Sequence, residues 1–101
     1  MVEQSDTLSH IIKTKRGELI KMLSKLEIDI LHHLFSENLT DPMNSRTVRN
    51  ISLAIDINHL RVRHNLNHLL MLGMVKLGWK ERNANSFYIT SKGVEMIETK
   101  T

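Results

Sequence analysis

The hydrophobic positions of this chain recur at two spacings, one typical of helices and one typical of strands. Between residues 5 and 72, apolar residues return every three or four positions, as they do along one face of an α-helix. From Met74 to Lys80 they alternate with other residues, as they do in a strand with one buried face. The pattern therefore predicts an α+β fold that is mainly helical, with a small β-hairpin after the helices.

Two helices are predicted in the first forty residues. The first covers residues 5–22 and is interrupted near Gly17. The segment from Ser24 to Glu27 then matches a capping box, in which the two side chains satisfy free amide hydrogens at a helix start. The second helix is expected to continue through residue 38. Its apolar arc spans about 200°, so it should lie between the core and another helix.

A pair of shorter helices follows. Ser45 is predicted to cap a helix that ends near Ile55, and Asn58 to cap the next one after a short link. Gly73 stands where a glycine commonly ends a helix. The apolar faces of these helices are Val48, Ile51 and Ile55 in the first, and Val62, Leu66, Leu69 and Leu70 in the second.

The last part of the chain reads as a hairpin and a short helix. Val75, Leu77 and Trp79 should share the apolar face of the outgoing strand, with Trp79 packed at the hairpin base. Residues 81–85 form a polar loop, and the return strand covers residues 86–90 with Phe87 and Ile89 on its apolar face. A final helix is predicted from Ser91, with Val94, Met96 and Ile97 on its apolar side.

Composition narrows the class of protein. A chain of 101 residues is of single-domain size. It has no cysteine, so disulfides and thiolate metal sites are excluded. The longest apolar run, residues 69–72, is far too short to span a membrane, and no secretory signal is visible at residues 1–10. We therefore expect a cytoplasmic protein without membrane contact.

The positive charge is concentrated in one half of the chain. Residues 42–92 carry eight basic and two acidic side chains, whereas the remainder has six basic and nine acidic ones, within a net charge of +3. Such asymmetry favours a polyanionic partner for the basic half. An ordinary solvated surface would give the same count, so charge alone does not decide between the two.

The order of predicted elements carries a resemblance. The positions Ile51, Ala54, Ile57, Val62, Leu66, Leu69, Gly73 and Val75, followed by FYITSKGVEMI at residues 87–97, resemble the winged helix-turn-helix of MarR-, PadR- and ArsR-like transcriptional regulators. The resemblance covers roughly residues 24–99 and does not single out one family. It implies a DNA-binding domain at residues 24–101, preceded by an N-terminal helical extension at residues 1–23 that is a candidate dimerisation element.

The resemblance implies sequence-specific binding of double-stranded DNA by a small regulator, and a repressor is favoured. If Val62, Leu66 and Leu69 face the core, an exposed cationic face remains for the major groove. We expect Arg61, His64 and Asn67 to meet base edges, Arg63 and His68 to lie nearer phosphates, and Leu60 to contact a thymine methyl. The complete candidate set on this helix is Asn58, His59, Leu60, Arg61, Arg63, His64, Asn67 and His68.

Two further elements supply candidate DNA contacts. Arg46 and Arg49 open the preceding helix, which in helix-turn-helix proteins crosses the DNA backbone. The wing carries Lys80, Arg82, Asn83 and Asn85, and by resemblance it reaches the neighbouring minor groove or backbone. For the arginines, pairing with acids or simple solvation is the alternative, and Asn58 is favoured as a helix cap over a phosphate contact.

Metal and enzyme chemistry find little support. His64 and His68 have the spacing that lets two side chains of one helix hold an ion, but no H-E-x-x-H motif and no cysteine accompanies them. The chain has no glycine-rich phosphate loop and no nucleophile motif. We therefore expect a non-enzyme with no metal and no cofactor.

The quaternary state and the exact role are left open by the residues. The N-terminal helix, the wide apolar arc after Ser24, and an apolar edge at Met96 and Ile97 favour a homodimer that binds a palindromic site in the nucleoid. Packing of the first helix within its own chain would cover the same surface. The alternative function is a winged helix that serves as a protein-interaction module in a larger complex. No effector pocket is evident from the sequence.

Overall fold

The computed structural model describes residues 23–80 and 82–98. These contain α1 (Lys25–Ser36), β1 (Arg46–Thr47), α2 (Val48–Ile55), α3 (His59–Met71), β2 (Val75–Leu77), β3 (Ser86–Ile89) and α4 (Ser91–Glu98). The mainly helical α+β class is thus confirmed. The predicted helix over residues 5–22 lies outside the described residues, and so does the N-terminal extension except for Leu23.

The capping box before α1 is confirmed. The Ser24 hydroxyl accepts a hydrogen bond from the Glu27 amide at 3.1 Å, and the Glu27 carboxylate accepts one from the Ser24 amide at 2.8 Å. Both ends of the box therefore satisfy amides that the first helical turn leaves free. Glu27 is also buried, with 3% of its surface exposed. The buried carboxylate also contacts the ring of His68.

A short strand replaces the predicted first turn of α2. Arg46 pairs with Phe87 and Thr47 with Ser86, which makes a three-stranded antiparallel sheet in the order β1-β3-β2. The predicted cap at Ser45 is wrong, because pairing with β3 keeps the two following residues extended. Thr47 caps α2 instead, and its hydroxyl accepts a hydrogen bond from the Asn50 amide. Arg46 accordingly lies in the sheet rather than on the helix.

The predicted limits of α3 are confirmed to within one residue. The Asn58 side chain accepts hydrogen bonds from the Leu60 and Arg61 amides, as expected of a helix cap. Gly73 follows the last turn with a φ of 76°, a conformation that glycine adopts without strain. The link before α3 turns at Asp56, which takes the left-handed conformation at φ 57°.

The hairpin is shorter than its hydrophobic pattern indicates. Val75 pairs with Ile89 and Leu77 with Phe87, but β2 ends at Leu77. Trp79 does not pack at the hairpin base, since 64% of its surface is exposed. Its backbone amide donates to the Pro42 carbonyl instead, which ties the loop before β1 to the hairpin. A Cβ atom on Gly78 would lie 2.3 Å from the Ser45 hydroxyl, so only glycine fits at this crossing.

One core joins the four helices to the sheet. Met96 and Ile97 are buried in it, so the predicted apolar edge at these two residues is not an open surface. No helix of residues 23–80 and 82–98 has the length and apolar character needed to cross a membrane. The most deeply buried side chains are Ile30, Leu31, Leu34, Ile51, Val62, Leu66, Leu69, Met74, Val75 and Ile89.

Candidate nucleic-acid interface

A groove of about 800 Å³ lies between α2, α3 and the tip of the hairpin. We call the hairpin the wing (residues 75–80 and 82–89), with its tip at residues 82–85. The groove brings together side chains that are far apart in the chain. Its polar lining comes from the start of α2 (Arg49 and Asn50), from α3 (His59, Arg63 and Asn67) and from the wing tip (Arg82, Asn83 and Asn85).

The groove is cationic. Arg49, Arg63 and Arg82 all line it and are all exposed. Among the described lining residues there is no acidic side chain. Three guanidinium groups from three elements around one open groove give a concentrated positive potential, which favours an anion with several charges.

The outer face of α3 has an apolar and amide centre. At about 100° per residue, Leu60, His64, Asn67 and Met71 lie within an arc of about 60°, opposite the buried Val62, Leu66 and Leu69. All four are exposed, as expected from the sequence. On the same wheel, the exposed Arg61 and Arg63 are about 160° apart, so they stand on opposite flanks of this arc.

The flank of α3 that faces α1 is held by internal hydrogen bonds. His68 Nδ1 contacts the carboxylate of the buried Glu27. One turn earlier, the Ser24 hydroxyl donates to Oδ1 of the Asn65 side chain at 3.2 Å, and Nδ2 of Asn65 donates to the backbone carbonyl of Arg61 at 2.7 Å. This set of contacts connects the cap of α1 to α3. The ring of His68, which the sequence predicts near phosphates, is engaged by the buried carboxylate of Glu27 in this structure.

Arg46 is also engaged internally. Its guanidinium contacts Nε2 of His33 at 3.0 Å and lies 3.9 Å from the Glu37 carboxylate. A guanidinium can only donate, so Nε2 accepts and the ring is neutral in this contact. Partial burial, and after it the positive charge of Arg46, lowers the pKa of His33, while Glu37 opposes the shift. Arg46 is therefore a bridge between α1 and β1, away from the groove.

The wing tip is exposed and its base is braced. Lys80, Arg82, Asn83 and Asn85 are all exposed, but Lys80 does not line the groove. At the base, the Ser45 and Ser86 hydroxyls are 2.7 Å apart, and the Ser86 hydroxyl also donates to the Trp79 carbonyl. These bonds tie the residues on either side of the tip to each other and to the loop before β1.

On α2, two exposed groove residues were missed by the sequence reasoning. Asn50 and Leu53 line the groove from α2. A weak signal was present, since both fall outside the apolar face formed by Val48, Ile51 and Ile55. That signal says that a residue is exposed, but only the packing of α2 beside the wing shows what it faces.

The described residues contain no group of three or more side chains suited to holding a metal ion. His64 is exposed on the outer face of α3, while His68 contacts Glu27. The two rings therefore have different surroundings although they are one turn apart.

Comparisons with known proteins place this architecture. No family model and no curated protein matches the chain. Among solved structures, TubR from Bacillus megaterium pBM400 superposes with a TM-score of 0.76 at 16% identity, over 86% of this chain and 96% of that one. The DNA-binding TubR fragment from Clostridium botulinum gives 0.65 at 28% identity, over 78% and 98%. The MepR-DNA complex of Staphylococcus aureus gives 0.66 at 15% identity, over 95% and 77%.

The chain has the winged helix-turn-helix fold. In this winged helix, α2 and α3 form the helix-turn-helix and α3 stands in the place of the recognition helix. The groove and the outer face of α3 lie on the side where the wing projects.

Proposed function

We propose that this winged helix is a sequence-specific double-stranded DNA-binding protein that acts as a small transcriptional regulator. The observation that carries the proposal is the groove in which Arg49, Arg63 and Arg82 come together from three separate elements. DNA backbones bind such arrangements through phosphate contacts with arginine. Relatives of similar fold include one solved as a DNA complex and one described as DNA-binding, which supports the same function.

The docking follows from the geometry of the three elements. The outer face of α3 enters the major groove, which is wide enough for an α-helix. Arg49 at the start of α2 meets the backbone, and the wing tip reaches the adjacent minor groove or backbone through Arg82, Asn83 and Asn85. Lys80 is exposed on the wing but does not line the groove, so it contributes only a longer-range positive charge. His68 and Arg46 are left out of this interface because both are held by internal contacts.

A homodimeric repressor is the form of regulator we propose. Two copies would present two recognition helices about one DNA turn apart and would bind a palindromic site. Such a protein blocks transcription by occupying its DNA site. We place it in the cytoplasm, associated with the nucleoid. The segment at residues 1–23 is the proposed dimerisation element.

The salt dependence of duplex binding tests the proposal. Binding of a random-sequence duplex should weaken steeply as salt rises, with a slope of about −0.9 per phosphate contacted. Arg82→Ala should reduce that slope by about one contact. Lys25→Ala removes the same charge from α1, outside the groove, and should leave the slope unchanged.

The alternative function, a protein-interaction module, predicts a different result. Duplex binding would then be absent, or the Arg82 and Lys25 variants would lose affinity equally, as expected for attraction by net charge alone. Selection of bound duplexes from a random pool, with a mass measurement in solution, would then test sequence preference and the homodimer. A monomer that selects a single half-site would contradict the dimer and leave DNA binding intact.

A further inference from the structure

The centre of the outer face of α3 differs in chemistry from its flanks. Leu60 and Asn67 lie seven residues apart on one stripe of the helix, about 20° from each other. Leu60 is 69% exposed, a large apolar side chain that shares this face with Met71 at the far end of the helix. Burying it in a DNA groove is favourable only where the groove itself presents an apolar group.

The major groove presents one such group, the C5-methyl of thymine. Guanine is read chiefly by arginine or lysine, adenine by the amide of asparagine or glutamine, and the thymine methyl by apolar side chains. The arc from Leu60 to Met71 contains no arginine or lysine. Both arginines of α3 stand on its flanks, about 160° apart. These positions suit the phosphates of the two groove walls, so Arg61 is assigned here to a phosphate rather than to the base edge expected from the sequence.

We propose that the half-site read by α3 is rich in A·T pairs, with a thymine methyl against Leu60 and an adenine against Asn67. This inference rests on the proposed DNA-binding function and assigns its sequence class. His64 sits between the two and can either donate or accept, so it favours no particular base.

The same geometry sets how far along the helix the reading extends. Base contacts in helix-turn-helix proteins come from the N-terminal part of the recognition helix. Leu60 lies in the first turn of α3, whereas Met71 is its last residue, about 16 Å farther along the axis. Met71 is 85% exposed and on the same arc, which makes it a matched control for Leu60.

The test uses duplexes with and without the thymine methyl. Duplexes are selected from a random pool, and the selected sequence is then synthesised twice, once with thymine and once with uracil at the positions under α3. Wild-type protein should bind the thymine duplex about fourfold more tightly than the uracil duplex, the ratio expected for one buried methyl group.

Variants identify the side chain that reads the methyl. Leu60→Ala should abolish the thymine-over-uracil ratio, and Met71→Ala should keep it. Asn67→Ala should lower the preference for A·T over G·C at one position by roughly tenfold. The circular dichroism spectra of the three variants should match that of the wild type, because all three side chains are exposed. The comparison of thymine and uracil duplexes with the wild-type protein does not depend on any variant.

Specific results would overturn this inference alone. A selected half-site dominated by G·C pairs, or equal binding of thymine and uracil duplexes, would refute it while salt-dependent binding kept the proposed function standing. Loss of the ratio in the Met71 variant but not the Leu60 variant would refute the assignment of the methyl contact. If the Leu60 and Met71 changes instead separated two copies without altering base preference, the face would be an interface between subunits. Failure to bind any duplex would remove the proposed function as well.

Discussion

The two flanks of α3 look alike in the sequence and differ in the structure. The flank facing the wing carries His59 and Arg63, which line an open groove together with Asn67 at the edge of the outer face. The flank facing α1 carries Asn65 and His68, which form hydrogen bonds to Ser24 and Glu27. Both flanks are made of polar and basic side chains at helical spacing. A polar residue on a recognition helix is therefore available to a ligand only where no other element of the same chain has already engaged it.

The consequence is a separation of roles along one helix. On the α1 side, Asn65 and His68 fix the position of α3 relative to the core, while the exposed Arg61 and the wing side are left to bind. Changes at Asn65 or His68 should therefore alter the free energy of unfolding, and changes on the wing side should alter affinity for DNA. Four measurements test this distinction and its surroundings.

The largest effect is expected at His68. Substitution of His68 by alanine removes the side-chain partner of the buried Glu27 carboxylate and should lower the free energy of unfolding by about 2 kcal/mol. Urea denaturation measures this change. His64→Ala is the matched control one turn away, and since that ring is exposed it should cost less than about 0.5 kcal/mol. A His68 variant of unchanged stability with a reduced salt slope would reverse our assignment of the two flanks.

A second comparison separates two arginines. Arg63→Ala should reduce the salt slope of duplex binding by about 0.9, because a phosphate contact is lost. Arg46→Ala should leave that slope as it is, because its guanidinium already contacts His33 and Glu37. Titrations at several salt concentrations give both slopes. If both variants reduced the salt slope equally, an arginine with internal contacts would still be able to bind a DNA phosphate.

A smaller effect is expected in the turn that joins α2 to α3. Asp56 adopts a φ of 57°, which costs a residue with a Cβ atom more than it costs glycine. Asp56→Gly should therefore raise the free energy of unfolding by about 0.5 kcal/mol and leave duplex affinity unchanged. Thermal and urea unfolding would detect the gain. A loss of DNA affinity in this variant would indicate that the turn, rather than the flanks alone, controls presentation of α3.

The smallest effect concerns pH. Because partial burial and Arg46 lower the pKa of His33, folding favours its neutral form. The associated stability is fully present above the ordinary histidine pKa of about 6.5 and is lost as pH falls below it. Unfolding free energy measured between pH 7.5 and 5.5 should drop more in the wild type than in His33→Gln. An equal drop in both proteins would assign the pH dependence to other histidines.

Local rules predicted most of the helical framework. The Ser24 box, the Asn58 cap and Gly73 each depend on atoms within a few residues, so the sequence determines them almost alone. The buried face of α3 could also be predicted, because Val62, Leu66 and Leu69 recur at helical spacing. Contacts between distant residues were not, and β1 is the clearest example: Arg46 and Thr47 are extended because β3 pairs with them forty residues later.

The candidate site divides in the same way. The exposed face of α3 with Leu60, His64 and Asn67 could be predicted from the residues alone, because helical geometry places these opposite the apolar stripe. Tertiary structure decided which basic groups remain available. It engaged His68 and Arg46 with partners on α1 and brought Arg49 and Arg82 beside Arg63. The physical reason is that exposure on a helix follows from its own period, whereas a salt bridge or a shared groove requires two segments to be brought together by packing of the core.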